Sequence, residues 1–220
     1  MKIGIIGGTG AQGKGLAFRW AKYGKRIIYI GSRSFEKAEL IANELNKKLP
    51  NNSLIPLKNI DLIQTCEVLV LTIPYNNAID FIKQHLESIR KNCSIFIDVT
   101  VPMKYEKGKG MIYLNPEEGS GSLALQNVIG EKPTIICAFK TISADLLQNV
   151  DQSLDQDNFI CGKKEEKQFV FKLTEEIGSG LRSIDCGPLY MSRTVESLVP
   201  FLIGINQRYK VKHAGIKIIF

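Results

Sequence analysis

What the 220-residue sequence lacks narrows its chemistry first. It has two histidines, His85 and His213, and neither has neighbours spaced as metal ligands, so no histidine-based metal centre is expected. Its five cysteines, Cys66, Cys93, Cys137, Cys161 and Cys186, include no Cys-x-x-Cys pair. They read as buried small hydrophobes in a reducing compartment, not as a disulfide framework or a zinc site. The longest apolar runs, Glu67–Tyr75 and Leu198–Ile205, fall far short of the roughly 18–20 residues that cross a bilayer. The apolar stretch after Met1-Lys2 breaks at once into glycines. That is not a secretory pattern, and a cytoplasmic product is expected. No short-period repeat, low-complexity tract or nucleophile–base constellation is visible.

What is present describes an ordinary globular chain, 44% hydrophobic and 23% charged, with enough residues for one large domain or for one domain and a smaller partner. The formal charge of +7 is unevenly placed. Residues 1–110 hold 17 basic and 9 acidic side chains, a balance of +8, whereas residues 111–220 hold 12 and 13, a balance of −1. A basic half fits nucleic acid, a membrane surface or a polyanionic small molecule, and the motifs must decide among these.

Short apolar stretches alternate with helical spacing through the first two-thirds of the chain. Strands are expected at Lys2–Ile6, Arg26–Ile30, Ser53–Leu57, Glu67–Ile73, Ser94–Val99 and Thr134–Phe139, and helices at Ala11–Tyr23 (capped by Gly24), Phe35–Leu49, Asn59–Cys66 and Asn77–Ile89. Near-continuous Val/Ile/Leu strands separated by helices predict an α/β fold, a Rossmann-type doubly wound parallel sheet covered on both faces. Residues 103–131 read as loop with one helix near Ser122–Val128, and the Asp-rich stretch Asp151–Asp157 as a solvated linker. Further helices are expected at Ser143–Gln148 and Lys163–Ile177, with strands at Phe159–Cys161 and Leu181–Asp185. The amphipathic stretch Ser192–Tyr209 is interrupted by Pro200 and Gly204. The division expected is a Rossmann domain over residues 1–148 and a smaller C-terminal α/β domain over 149–220.

Gly8-Thr9-Gly10-Ala11-Gln12-Gly13 follows the first strand and opens the first helix. In that context the string is a dinucleotide fingerprint and not merely a glycine-rich turn. Gly8 is assigned the tight turn, Gly10 the close approach to a pyrophosphate, and Gly13 the helix–strand contact. The helix N-terminus offers N–H groups to phosphate. At the end of the second strand, where an NAD site places Asp or Glu, the sequence reads Gly31-Ser32-Arg33-Ser34, with Lys37 a turn later. Ser32 can donate to a 2′-phosphate, Arg33 can pair with it through a planar fork, and Lys37 adds charge. NADP(H) is therefore expected over NAD(H), and the basic half is read as a dinucleotide phosphate site, with no nucleic acid or membrane as partner. Thr72-Ile73-Pro74-Tyr75 and Val99-Thr100-Val101-Pro102 end strands at the same sheet edge. Each fits either a ligand contact or a proline that only stops a strand.

Gly7-Gly8-Thr9-Gly10, Gly31-Ser32-Arg33 with Glu36-Lys37-Ala38, and Leu71-Thr72-Ile73-Pro74 together resemble the NADPH-dependent coenzyme F420 reductases, also called F420H2:NADP oxidoreductases. The similarity continues through Ala138-Phe139, Thr141-Ile142-Ser143-Ala144, Ile184-Asp185-Cys186-Gly187-Pro188-Leu189, Ser192-Arg193, Val195-Glu196-Ser197-Leu198 and His213-Ala214-Gly215-Ile216-Lys217. The resemblance thus spans nearly the whole chain, and its later motifs are more specific than the glycine loop. It implies a Rossmann domain and a smaller domain with a deazaflavin in the cleft between them. It also implies a cytosolic homodimer and reversible hydride transfer between NADP(H) and coenzyme F420. By the same resemblance Thr9, Gly10, Ala11, Gln12, Ser32, Arg33 and Lys37 would hold the NADP phosphates. Ile73, Tyr75 and Ile79 would line the nicotinamide side with Val101 and Ala144 nearby, and Ile142, Ala214 and Gly215 would approach the deazaflavin. It departs at Lys140, where relatives are expected to carry other polar residues, and leaves that lysine's contribution to the ring environment open.

Aligned rings need proximity and orientation more than proton transfer, so no catalytic acid–base residue is assigned. Val195, Leu198, Val199, Leu202 and Ile203 are expected to pack a core or a dimer and not to face a cofactor. Two rival functions use the same scaffold: an NADP-dependent reductase with a flavin, imine or ferric chelate acceptor, and a non-catalytic NADP(H) sensor.

Overall fold

The computed structural model describes every residue from Met1 to Phe220. Six parallel strands form the main sheet: β1 (Ile3–Ile6), β2 (Ile28–Ser32), β3 (Leu54–Lys58), β4 (Val68–Leu71), β5 (Ile95–Asp98) and β8 (Thr134–Cys137). Their spatial order is β3-β2-β1-β4-β5-β8, which reverses direction between β1 and β4. Every residue of β1, β4 and β5 is buried, as continuous apolar strands require when helices cover both faces. The helices of this part are α1 (Ala11–Lys22), α2 (Phe35–Asn46), α3 (Asn59–Thr65), α4 (Tyr75–Gln84), α5 (Leu86–Asn92), α6 (Gly121–Ile129) and α7 (Ala144–Gln148). The C-terminal part adds a parallel pair, β9 (Gln156–Ile160) and β10 (Leu181–Asp185), with α8 (Lys164–Glu175) and α9 (Ser192–Tyr209). The doubly wound architecture with a smaller C-terminal α/β part is the one the sequence predicts. Of the two buried apolar clusters, one joins Trp20, Val70 and Ile136 to Val170, Leu173 and Ile177. The other joins Leu69 and Phe96 to Phe159 and Val195.

Several local expectations are corrected. Residues 103–113 are not loop but an antiparallel hairpin, β6 (Met103–Glu106) with β7 (Gly110–Tyr113). The helix expected over Asn77–Ile89 is two, broken at His85, whose φ of −118° is not helical. The chain after α1 turns left-handed at Lys25 (φ 50°), so Gly24 is not the left-handed cap. Gln156 and Asp157 are not linker; they open β9, and the Asp157 carboxylate is buried against Arg182. Finally, α9 runs unbroken through Pro200 and Gly204. Burial of Val195, Pro200 and Leu202 along it outweighs the one backbone hydrogen bond that proline removes.

The last ten residues form no regular element but are pinned. Asp157 N–H donates to the Ile216 carbonyl at 2.9 Å, and its carboxylate accepts from Ile218 N–H at 2.6 Å. Ser143 Oγ donates to the Lys212 carbonyl at 2.8 Å, and Ala214 N–H to Asn206 Oδ1 at 2.8 Å. Burial alone would raise the Asp157 carboxyl, but the Arg182 guanidinium and the Ile218 N–H hold it below the usual carboxylate range.

All five cysteines are free thiols, four buried and Cys186 half-buried. Burial pushes the Cys66 and Cys93 thiols up to about 12, which keeps them protonated and unreactive at neutral pH. An aromatic disulfide reagent is expected to titrate Cys186 alone in the native protein and all five thiols after denaturation. Fast native reaction of two or more would contradict this packing.

Candidate functional site

The carboxyl ends of β1, β2, β4 and β5 converge where the strand order reverses, the position at which open α/β sheets bind ligands. The loop after β1 turns at Gly7, whose φ of +77° is left-handed. The tight turn therefore belongs to Gly7 and not to Gly8, as the fingerprint assigned it. Gly13 is required by packing, because a Cβ there would stand 2.7 Å from Gly8 Cα and 2.8 Å from Thr72 Oγ1. Gly10 caps α1 with no side-chain hydrogen bond, leaving the first-turn N–H groups available to an anion. Asn59, the buried first residue of α3, accepts from Gly7 N–H at 3.2 Å, and its oxygen lies 2.5 Å from where a Cβ on Gly31 would stand. It ties the glycine loop to the end of β2.

Two cavities open along this edge. The smaller, about 270 Å³, is bounded by Gly7, Thr9 and Gly10 on one side and Ser32, Arg33, Ser34 and Lys37 on the other, with Thr72, Ile73 and Pro74 as its far wall. No carboxylate lines it. Ser34 is spent as the cap of α2, accepting from Lys37 N–H at 3.3 Å. Arg33 and Lys37 make no ion pair, and the Ser32 hydroxyl bonds to nothing in the protein, so these three groups are free for a ligand.

The larger cavity, about 540 Å³, continues from the same Thr72-Ile73-Pro74 turn, within the range of small-molecule sites. Tyr75, Val99, Val101 and Met103 form its Rossmann wall; Gln12, Ile142 and Ala144 its floor; Val199, Leu202, Ile203 and Ala214 its C-terminal wall. Burial pushes the Tyr75 phenol up, so it stays neutral.

The residues proposed from sequence therefore separate. Thr9, Gly10, Ser32, Arg33 and Lys37 meet in the smaller cavity; Gln12, Tyr75, Val101, Ile142, Ala144 and Ala214 meet in the larger; Ile73 belongs to both. Gly8, Ala11, Gly13, Ile79 and Gly215 line neither. Gln12 turns its amide to the Phe139 and Ile142 carbonyls at 3.0 and 3.3 Å, away from the phosphate side. Ile79 is partly buried and packs against the core, and Gly215 abuts the buried Gln156 amide. Sequence periodicity missed Val199, Leu202 and Ile203 as cleft residues, since an apolar stripe reads alike whether it meets a core or a cavity.

Behind the larger cavity lies a buried charge cluster with no sequence signal. Phe139, at φ 58°, gives its N–H to Asn158 Oδ1 at 2.7 Å and turns Lys140 inward. The Lys140 ammonium bonds Asp98 Oδ2 at 2.6 Å, Glu196 Oε1 at 3.0 Å and the Thr100 carbonyl, with no solvent exposure. Glu196 also accepts from Tyr113 OH and Gly121 N–H, each at 2.8 Å, and from Ser122 N–H at 3.1 Å. Two carboxylates thus meet one ammonium and the positive end of α6. Burial alone would lower the Lys140 ammonium, but Asp98 and then Glu196 outweigh it and hold it above the usual lysine value.

Comparison with known proteins agrees with this geometry. Residues 2–102 match the family model described as NADP oxidoreductase, coenzyme F420-dependent. Over 99% of its length the chain is 39% identical to an F420-dependent NADP reductase of Methanocaldococcus jannaschii, 98% of which is covered. It is 34% identical over 99% of its length to the protein of the same description in Methanothermobacter thermautotrophicus, 94% of which is covered. Among solved structures, a candidate F420-dependent NADP-reductase from Arthrobacter sp. FB24 superposes with a TM-score of 0.81 over 100% of both chains at 22% identity. The NADP-bound pyrroline carboxylate reductase of Plasmodium falciparum superposes with 0.57 over 96% of this chain and 65% of its own, at 14% identity; at these identities the likeness is one of fold. Sequence identity along the full chain, with the glycine loop, the Ser32-Arg33 pair and the second cavity in place, makes this protein a member of the F420-dependent NADP reductase family.

Proposed function

We propose that the two cavities are the halves of one hydride-transfer site, with NADP(H) reaching from the smaller into the larger and the deazaflavin ring beside it. The chain is an oxidoreductase acting between NADP(H) and coenzyme F420. The observation that carries the site assignment is the Thr72-Ile73-Pro74 turn, which walls both cavities, so a nucleotide held in the smaller can reach past this turn into the larger. The residues fit both coenzymes. Arg33 and Lys37, without a lining carboxylate, suit a 2′-phosphate, the uncapped α1 N-terminus suits the pyrophosphate, and the apolar walls of the larger cavity suit a flat aromatic ring.

The coenzymes supply the reaction, passage of a hydride between nicotinamide C4 and deazaflavin C5. The chain supplies proximity, orientation and exclusion of water. Ile73, Tyr75 and Val101 press on one side of the meeting point, and Ile142, Ala144 and Ala214 on the other. Val199, Leu202 and Ile203 close the C-terminal side against water. Ala11 and Gln12 contribute through the first-turn backbone of α1, and Gly8 and Gly13 through packing of the loop. Ile79 contributes through packing against the core and Gly215 through its close approach to Gln156. Residues 1–148 carry the NADP half, and 149–220 complete the deazaflavin half. No side chain has to move a proton.

Mixing protein, NADPH and F420 is expected to bleach the oxidised deazaflavin absorbance, and NADP with reduced F420 to restore it. Unchanged absorbance with NADPH bound would overturn the reading. No helix is long and apolar enough to cross a membrane, and cytoplasmic action follows from the soluble, anionic coenzymes. Exposed Tyr190, Phe201 and Phe220 support a homodimer. Light scattering should give about twice the 24.6 kDa chain mass, and the single mass would overturn the dimer.

A further inference from the structure

We propose that Lys212 receives the anionic side chain of the deazaflavin coenzyme at the rim of the larger cavity. The inference rests on the F420 reading above. Two cations line that cavity, Lys140 and Lys212. Lys140 is already committed, hydrogen-bonded to Asp98 and the Thr100 carbonyl and ion-paired with Glu196. Lys212 is exposed, and its ammonium makes neither an ion pair nor a hydrogen bond within the protein.

Its backbone is held as firmly as its side chain is free. Ser143 Oγ bonds the Lys212 carbonyl at 2.8 Å. On either side, Val211 N–H donates to the Asn206 carbonyl at 3.0 Å and Ala214 N–H to Asn206 Oδ1 at 2.8 Å. Asp157 and Arg182 clamp Ile216 and Ile218 beyond. A segment with no helix or strand is thus fixed so that a free cation stands on the rim of an apolar cleft. The one acid among the lining residues, Asp145, is exposed in the first turn of α7 and does not pair with Lys212.

The coenzyme has matching chemistry. Its ring is flat and suited to the apolar walls, whereas its side chain bears a phosphodiester and glutamate carboxylates that must leave through the open rim. A rim cation speeds encounter with such an anion and adds modest affinity that salt screens.

The test is a fluorescence titration of wild type and Lys212→Glu with three deazaflavins: the riboside without phosphate, the phosphodiester form without glutamate, and the full coenzyme. Lys212→Glu should weaken the full coenzyme about tenfold, the scale of exchanging one partly solvated charge contact for a repulsion. Riboside and NADPH binding should be unchanged, and Lys212→Arg should bind like wild type. Loss already present with the phosphodiester form assigns the contact to phosphate; loss confined to the full coenzyme assigns it to the carboxylates. Unchanged binding of the full coenzyme by Lys212→Glu, or an equal loss for the riboside, would overturn the proposal. If the wild type binds NADPH but no deazaflavin at all, the F420 reading falls and this inference with it.

Discussion

Lys140→Met is expected to cost about 3–5 kcal/mol of folding stability, the range for removing one partner of a buried ion pair. The ammonium stands between Asp98 and Glu196, paired with both and also hydrogen-bonded to the Thr100 carbonyl. Ser122 Oγ, at 2.6 Å from Asp98 Oδ2 and 3.1 Å from Glu196 Oε1, has one proton to give and cannot satisfy both. Without the cation, only neutral donors remain around the two buried carboxylates, namely Thr100, Tyr113, Ser122 and the α6 N-terminus, and mutual repulsion favours uptake of one proton by the pair. That uptake gives the variant a signature that lost packing alone would not. Its deficit deepens as pH rises, because the unfolded chain ionises freely while the folded one resists. In wild type the sign is the same but the pH window is different. The Lys140 ammonium is held above its usual value, so its contribution is complete below the unfolded lysine value of about 10.4 and is lost only as pH rises through the folded one. Urea midpoints at pH 5 and pH 8 check this. A midpoint at pH 8 equal to wild type would show that the cluster does not hold the fold.

The cluster also marks where the sequence stops being legible. Lys140 and Asp98 are 42 residues apart, and Ser122 and Glu196 are 74 apart. Nothing in either neighbourhood announces the partner. The alternating strands and helices were readable because each is set by spacing within one segment, and the glycine loop and Ser32-Arg33 were readable because their ligand geometry is equally local. The β6–β7 hairpin was hidden because its two strands are four residues each and incompletely buried, and Gly108 and Gly110 beside it read as loop. The break at His85 carries no glycine or proline. Pro200 misled in the opposite direction, since tertiary burial carried α9 through it. For the cleft, Ile73, Tyr75 and Val101 stand at strand ends that spacing alone left open between ligand contact and strand stop, and only the resemblance pointed to them, whereas Val199, Leu202 and Ile203 needed the three-dimensional packing of a helix onto a distant sheet edge.

Arg33→Asp is expected to weaken NADP(H) binding by about 1–3 kcal/mol, roughly fivefold to 150-fold, the scale of a hydrogen bond to a charged group. In the proposed site Arg33 is the group that meets the 2′-phosphate. It follows directly on Ser32, the last residue of β2, and lines the smaller cavity with Lys37. Ser34 cannot substitute, because its hydroxyl caps α2 and bonds Glu36 at 2.5 Å. Glu36 itself lies outside the cavity lining, so no native carboxylate repels the phosphate there. An aspartate at position 33 removes the planar fork and places a negative charge against a group that is itself doubly negative near neutral pH. The same aspartate can accept from a ribose 2′-hydroxyl, so NAD(H) affinity should hold or rise while NADP(H) affinity falls. Titration of both nucleotides, with and without the substitution, separates this from general damage to the loop. A parallel fall for the two would trace the effect to the fold of residues 31–37, and equal affinity of the wild type for NAD and NADP would remove the phosphate assignment. Because hydride transfer depends on where the nicotinamide ring lies, the expected kinetic consequence falls mainly on the apparent affinity for NADPH. In the proposed site, turnover at saturating nucleotide should change little, since the larger cavity is lined from Ile73 to Ile203 and Arg33 lines only the smaller one.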